Sequence, residues 1–287
     1  MEFRMDFSHY PEGGRYYAGS ERKKSIVMPD GSFYMVKFQK ATAFGKRFNH
    51  LSEHVGSRVF ELAGLPAQET YLGTCDGEPV VACRDFIPEG TQFVPFNDVG
   101  ESTLEEDRET YQYSYDDIMR MLRDNRKLTA VDETVEMFWR MYVVDALLGN
   151  FDRHGANWGF LKQEGAYRIA PVFDNGSCLF PGLVDDEALN EVMRSEDEML
   201  RRVFEFPTSQ IRLSGRKSSY YEVIASRSFP ECNEARDYVL SRLDMDCVQD
   251  LVGTLDGITE TRREFYRRIL DLRYRLILCG EQGGGAR

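Results

Sequence analysis

The stretch "LLGNFDRHGANWGFL", residues 147–161, sets Asp152, Arg153, His154 and Asn157 between two bulky apolar runs. A polar loop flanked so closely by Leu147-Leu148 and Trp158–Leu161 is pinned to a core, and pinned loops are where chemistry is often carried. Asp152 and Asn157 have the spacing D-x-x-x-x-N. Phosphoryl transfer uses such a pair. The carboxylate orients the attacking hydroxyl or accepts its proton, and the amide oxygen ligates magnesium from the same loop. Magnesium then needs a second protein oxygen. Asp174 in "APVFDNGS" (170–177) is the natural source, at a strand end followed by the turn residues Asn175-Gly176. The segments "FDRHGANWGFL" and "YRIAPVFDNG" are expected to form a hairpin that gathers Asp152, Asn157 and Asp174.

Upstream, the same chemistry requires a cation for the phosphates. Lys37 lies in the otherwise apolar "FYMVKF" (33–38), where an unpaired buried ammonium would be costly. Glu53, on the following helix beside Gly56 and Phe60, is the expected partner, a pairing that the helical wheel permits. Taken alone, Lys37 also suits an edge strand, where lysines deter aggregation. "YYAGSERKKS" (16–25) offers a turn at Gly19-Ser20, with basic neighbours, suited to backbone N–H contacts with phosphate. It matches neither G-x-G-x-x-G nor the Walker pattern.

Around these residues the chain reads as a β-rich N-terminal lobe and a helical C-terminal lobe. Residues 25–38 form a hairpin about Pro29-Asp30-Gly31. Residues 45–66 form a helix through Phe48, Leu51, Val55, Val59 and Leu62, stopped by Gly64 and Pro66. "ETYLGTC" and "EPVVACRDF" are strands about Asp76-Gly77. Residues 88–112 lack a period and read as a connector or surface insertion. Ser114 and Asp117 make a capping-box start for a helix over 115–124, and 132–148 is a longer helix in which Asp145 caps or braces the polar loop. The strand at 166–174 is interrupted by Pro171. Further helices are expected at 186–205, 217–226, 231–243, 245–255 and 259–278, then a frayed tail over 280–287. Trp139, Tyr142, Trp158 and Phe160 are core candidates.

With 287 residues, 29% charged and 42% apolar, the composition is that of an ordinary globular protein. The net charge of −12, from 36 basic and 48 acidic residues, argues against nucleic acid as the main partner. No apolar run approaches the ~20 residues that span a bilayer, and "MEFRMDFSHYPEGG" lacks a secretory h-region. The six cysteines are scattered, with no Cys-x-x-Cys, which suits reduced thiols in a cytoplasmic protein.

"GNFDRHGANWG" and "APVFDNGS" resemble the catalytic and metal-binding segments of the HipA-like kinases, in particular the short CtkA-type members. The string Asp152-Arg153-His154-x-x-Asn157 is also similar to the catalytic loop of phosphatidylinositol 3- and 4-kinases, whose fold that family shares. The likeness runs through "GSERKKSIVMPDGSFYMVKF", "SEHVGSRVFELAGLPAQET" and "VVACRDF", over about residues 15–180. It implies an α+β, two-lobed, protein-kinase-like fold, with an N-lobe over 1–86 and a C-lobe over 87–287. It implies ATP and Mg²⁺ as cofactors, Asp152 as catalytic base, and Asn157 and Asp174 as metal ligands. Lys37 would hold the ATP phosphates, Glu53 would position Lys37, and Gly19 and Ser20 would belong to the phosphate loop. Arg84, Asp85 and Phe86 would form the hinge whose backbone meets adenine, and His154 would support its loop.

The implied activity is γ-phosphoryl transfer to Ser or Thr of a protein substrate, with autophosphorylation at Ser20 or Ser25. Two alternatives stay open: a phosphoinositide or small-molecule kinase of the same fold, and a nucleotide-binding scaffold without transferase activity. Lys37 comes too early for the extra N-terminal subdomain of full-length HipA toxins, which argues against an antitoxin partner and an operator-DNA complex. Membrane insertion is not expected.

Overall fold

The computed structural model describes residues 5–17, 21–100, 113–123 and 130–281. In its N-terminal lobe the strands β1 (Met5–Asp6), β2 (Lys23–Val27) and β3 (Phe33–Phe38) precede a small hairpin of β4 (Ala41–Thr42) and β5 (Gly45–Lys46). The helix α1 (Asn49–Leu62) and the strands β6 (Thr70–Cys75) and β7 (Glu78–Arg84) follow. Five of the strands form one sheet in the order β1-β6-β7-β3-β2. Its tight turns fall where turn chemistry places them. Gly31 has φ 82°, and Asp76-Gly77 both take positive φ, as a two-residue hairpin loop requires.

Alternation along β3 sets the direction of its lysine. Tyr34, Val36 and Phe38 join Phe7, Ile26, Cys75, Val80 and Ala82 in a small core on one face of the sheet. Successive strand side chains point to opposite faces, so Lys37 is directed to the other side, toward α1. Because β3 lies between β7 and β2, the edge-strand explanation of Lys37 is removed.

The C-terminal lobe is built around α4 (Val131–Leu148), whose Trp139, Val143, Val144 and Leu147 are fully buried. Before it come β8 (Gln92–Pro95), α2 (Phe96–Gly100), β9 (Tyr113–Ser114) and α3 (Tyr115–Arg123). After it come β10 (Gly159–Gln163) and β11 (Ala166–Ile169), then α5 (Asp186–Arg194), α6 (Glu196–Phe204), β12 (Thr208–Leu213) and β13 (Arg216–Ser219). The helices α7 (Tyr220–Ala225), α8 (Pro230–Arg242), α9 (Met245–Thr254) and α10 (Glu260–Arg273) lead to a π-helical turn at Tyr274–Cys279. Trp139, Tyr142, Trp158 and Phe160 all sit in the large core, as their sequence setting suggests.

Several local expectations change. The first helix begins at Asn49 rather than 45, because Gly45-Lys46 pairs with Ala41-Thr42. Within 88–112, Gln92–Pro95 is a strand against β10, and Phe96–Gly100 is helical. The expected helix 186–205 is two helices. Ser195 breaks it and caps the second with a bond from Glu198 N–H at 3.2 Å, the Ser-x-x-Glu signal inside the run. The expected helix 217–226 starts as strand β13, paired antiparallel with β12, and becomes helical at Tyr220. The last helix turns from α to π at Tyr274. The expected helix over 115–124 is present as Tyr115–Arg123; the side chains of its expected capping box, Ser114 and Asp117, lie outside what is described, as do most of the 280–287 tail, Gly19 and Ser20.

Candidate active site

The helix α4 delivers the polar loop. Its C-cap, Gly149, adopts a left-handed φ of 64° and donates its N–H to Asp145 O, the stop that glycine makes cheapest. Residues 150–157 then fold on internal hydrogen bonds. Asn150 Nδ2 donates to Asp145 Oδ1 (2.8 Å), and Asn150 Oδ1 accepts from Asp152 N–H (3.0 Å). Asn157 Nδ2 donates to Asp152 O at 2.8 Å, leaving its amide oxygen as the end available to a metal. His154 Nδ1 accepts from Ala156 N–H at 3.2 Å, and His154 Nε2 lies 3.9 Å from Asp152 Oδ1.

Three distant segments meet at Lys37. Its Nζ donates to Glu53 Oε2 and to Asp174 Oδ1, each at 2.9 Å. The side chains of Lys37 and Glu53 are 8% and 1% exposed, whereas that of Asp174 is 38% exposed. Burial opposes the ammonium charge, but the carboxylates of Asp174 and Glu53 outweigh it and raise the Lys37 pKa well above its ordinary value. Lys37 in turn holds the Asp174 carboxyl below the usual carboxylate range, against burial. Asp174 has φ 57°, sparse territory for a residue with a Cβ and a kind of outlier found at functional turns. Asp152, half exposed at 51%, moves the other way. Partial burial and the nearby Asp174 charge raise its carboxyl, against the pull of His154 and Lys40.

The sequence singles out Asp152, Asn157, Asp174, Lys37 and Glu53, and the fold ties all five to one network. What links them is Arg153, named with the loop but given no role from sequence. Its guanidinium is buried. Nε and Nη2 bind the two oxygens of Asp145 (2.8 and 3.1 Å), and Nη2 also donates to Asn175 Oδ1 (2.5 Å). Nη1 donates to Asn157 O (2.9 Å) and Phe173 O (2.5 Å). One side chain thus clamps α4, the 152–157 loop and the 173–175 loop together. Asp145, fully buried, braces the loop through Arg153 and Asn150. Asn175 closes the circuit, donating its N–H to Glu53 Oε1 (2.9 Å) and Nδ2 to Ser57 Oγ (3.0 Å).

The helix α1 is held against the C-terminal lobe by more than Glu53. Phe48 N–H donates to Pro181 O (3.1 Å) and Ser52 Oγ to Cys178 O (2.6 Å), while the Arg262 guanidinium sits 3.5 Å from the Phe48 ring centroid. Val55, Val59 and Phe60 share the large core with α4. Gly56 permits the closest approach, since a Cβ there would lie 2.6 Å from Asn175 Cβ. Gly56→Ala is expected to destabilise the fold by about 1–3 kcal/mol, read as a lower urea midpoint with an unchanged slope. Glu53→Gln keeps the shape but removes the charge facing Lys37. An expected cost of about 1.5–3 kcal/mol for a charged hydrogen bond corresponds to about a 10- to 100-fold fall in kcat/KM, measurable by steady-state kinetics.

The expected hinge is partly committed. Arg84 N–H donates to Glu69 O, Arg84 O accepts from Gln68 Nε2 at 2.8 Å, and Asp85 N–H donates to Phe33 O. Among the described residues, these bonds leave Asp85 O and the backbone of Phe86 to meet a ligand. The Arg84 side chain pairs with Glu69 at 2.8 Å on the surface. The Asp85 carboxylate holds Arg15 (2.5 Å) and Tyr17 OH (3.1 Å), which ties the segment preceding Gly19-Ser20 to the hinge. Phe86 packs with Phe93 and Phe173.

A β-rich lobe with an inward Lys–Glu pair, set over a helical lobe that presents two carboxylates and an asparagine, defines a kinase-like protein. The HipA-like C-terminal domain family matches residues 16–225. The serine/threonine-protein kinase CtkA of Helicobacter pylori strain J99 is 31% identical over 269 residues, which cover 91% of this chain and 82% of that protein. The crystal structure of a Helicobacter pylori proinflammatory kinase CtkA superposes with a TM-score of 0.88 at 29% identity, covering 96% of this chain and 95% of the other. HipA from Shewanella oneidensis MR-1, solved with HipB and operator DNA, shares the fold at a TM-score of 0.61 and 14% identity, over 93% and 66% of the two chains. The chain belongs to the HipA-like kinase family.

Proposed function

We propose that this protein transfers the γ-phosphoryl group of ATP, with Mg²⁺, to Ser or Thr hydroxyls of a protein substrate. The observation that carries the reading is Lys37 Nζ, held at 2.9 Å from both Glu53 and Asp174, on the same network as the Asp152 loop. Such transfer is mostly positioning and charge neutralisation. Lys37 binds the phosphates and Glu53 fixes its direction. Asp152, exposed to an incoming acceptor, orients the hydroxyl and takes its proton. His154 steadies the turn that carries Asp152.

Asp174 and the amide oxygen of Asn157 fit magnesium, a hard ion that takes few protein oxygens and completes its shell with phosphate and water. Among the described residues no cluster of three or more His, Cys, Asp or Glu offers a metal cage, in keeping with so sparse a site. When bound, magnesium neutralises charge developing on the β- and γ-phosphate oxygens. The adenine would meet Asp85 O and the Phe86 backbone, and Gly19-Ser20 would cover the phosphates. Ser20 would belong to that loop and Ser25 follows it within β2, so a phosphate on either would compete with ATP for the same donors.

Incubation with labelled ATP and Mg²⁺, once with protein acceptors and once with phosphoinositide vesicles, tests the reading. Label is expected on protein Ser or Thr, and on the kinase itself at Ser20 or Ser25 by mass spectrometry. Label on lipid alone assigns the other acceptor. Binding of Mg-ATP without turnover makes the protein a scaffold. Among the described residues no helix is long and apolar enough to cross a membrane.

A further inference from the structure

Among the described residues four large apolar or aromatic side chains are exposed: Tyr16, Phe44, Tyr71 and Phe206. Phe206 differs from the others in where it stands. Its ring stacks on Phe151 with centroids 6.4 Å apart and planes 24° apart, and it packs on Phe180 at 5.9 Å. Phe151 immediately precedes Asp152 in the chain, and Phe180 follows the 173–176 loop by a few residues. Three segments therefore build one aromatic shelf, and one of them, that of Phe151, adjoins Asp152 in the chain.

The shelf is held from beneath. Buried Arg273 donates Nη1 to Phe206 O (3.4 Å) and to Arg202 O, and Nε to Ala146 O (2.8 Å) in the last turn of α4. Burial lowers the Arg273 pKa to about 10, and the carbonyl end of α4 offsets part of the cost of its charge. Phe206 N–H donates to Arg201 O (3.0 Å). The Phe180 ring already has the Arg202 guanidinium 5.8 Å from its centroid, and Arg202 is neutralised by Glu198 at 2.6 Å. What the shelf leaves open is the rigid, apolar ring of Phe206, 44% exposed. Rigid aromatic anchors bind apolar groups with little loss of side-chain entropy.

We infer that Phe206, with Phe151 beneath it, is a specificity-determining residue that receives an apolar side chain next to the acceptor Ser or Thr of an extended peptide. The inference rests on the protein-kinase reading above, because a hydroxyl placed at Asp152 brings its neighbours in the peptide, spaced about 3.3 Å apart, over the shelf. Leu, Ile, Met or Phe within two positions of the acceptor would cover Phe206 and exclude water there.

A degenerate peptide library with fixed Ser or Thr, assayed with the wild type, Phe206→Ala and Phe206→Tyr, tests this. The wild type is expected to prefer an apolar residue over Ala at one flanking position by about tenfold in kcat/KM. In Phe206→Ala that preference collapses with KM for ATP unchanged, and Phe206→Tyr restores it. Transfer without apolar preference, or a preference that survives in Phe206→Ala, overturns the shelf and leaves the protein-kinase reading standing. Absence of transfer to any peptide by the wild type, with transfer to lipid vesicles, overturns both.

Discussion

Asp152→Asn is expected to lower kcat for phosphoryl transfer by about 10²- to 10⁴-fold, the range in which a positioned general base contributes. Mg-ATP affinity should stay close to that of the wild type. Its loop is folded by backbone and by Asn150, Arg153 and Asn157, through bonds that use the Asp152 backbone and not its carboxylate oxygens. The pH dependence gives a second signature. Burial and the Asp174 charge raise the Asp152 carboxyl, and only its ionised form can accept the proton. Activity should therefore be complete above the raised pKa and fall as pH drops through it. Lys37 keeps Asp174 ionised to lower pH, so the upper acidic limb of the kcat profile belongs to Asp152 and should vanish in Asp152→Asn. Wild-type turnover in this variant would remove Asp152 from the reaction.

The second large effect falls on Arg153. Among the described residues Arg153 is the one cation paired with the Asp145 carboxylate, so Arg153→Met leaves that fully buried group without a counter-charge, held by the Asn150 amide alone. Breaking such a pair costs about 3–5 kcal/mol, read as a shifted urea midpoint. Arg153→Lys separates stability from geometry. Lysine keeps a charge for Asp145 but has a single ammonium where five contacts come from a planar fork. It cannot hold Asn157 O, Phe173 O and Asn175 Oδ1 at once. Smaller destabilisation with at least about a tenfold fall in kcat is expected, since small misplacements of reacting groups are costly. An Arg153→Lys enzyme within twofold of wild-type kcat would show that the clamp does not position the site.

Much of the site could be read from local spacing. Asp152 and Asn157 lie on one short loop, and Asp174 precedes Asn-Gly, although the strand expected to carry it ends at Ile169 and leaves Asp174 in a loop. The turns at Gly31 and Asp76-Gly77 carry their own conformational demands. Arg153 escaped assignment because its partners, Asp145, Phe173 and Asn175, are spread over 30 positions and only the folded hairpin makes them neighbours. Strand β8 was hidden for a similar reason: four residues carry little periodicity, and their partner β10 begins at Gly159. The β12–β13 hairpin did leave a trace. Ser214 and Gly215 both take positive φ, and a Ser-Gly pair is a turn signal that the helical pattern of the residues beyond it outweighed.

The residue order therefore carried the groups for the chemistry, the strand alternation that turns Lys37 away from the small core, and the stop at Gly149. These follow from backbone sterics and side-chain period, which act over a few residues. The convergence on Lys37, the burial of α1 against the catalytic lobe, the Arg153 clamp and the aromatic shelf at Phe206 came from packing. Each joins segments tens of residues apart, and a contact of that kind exists only once the core has brought them together.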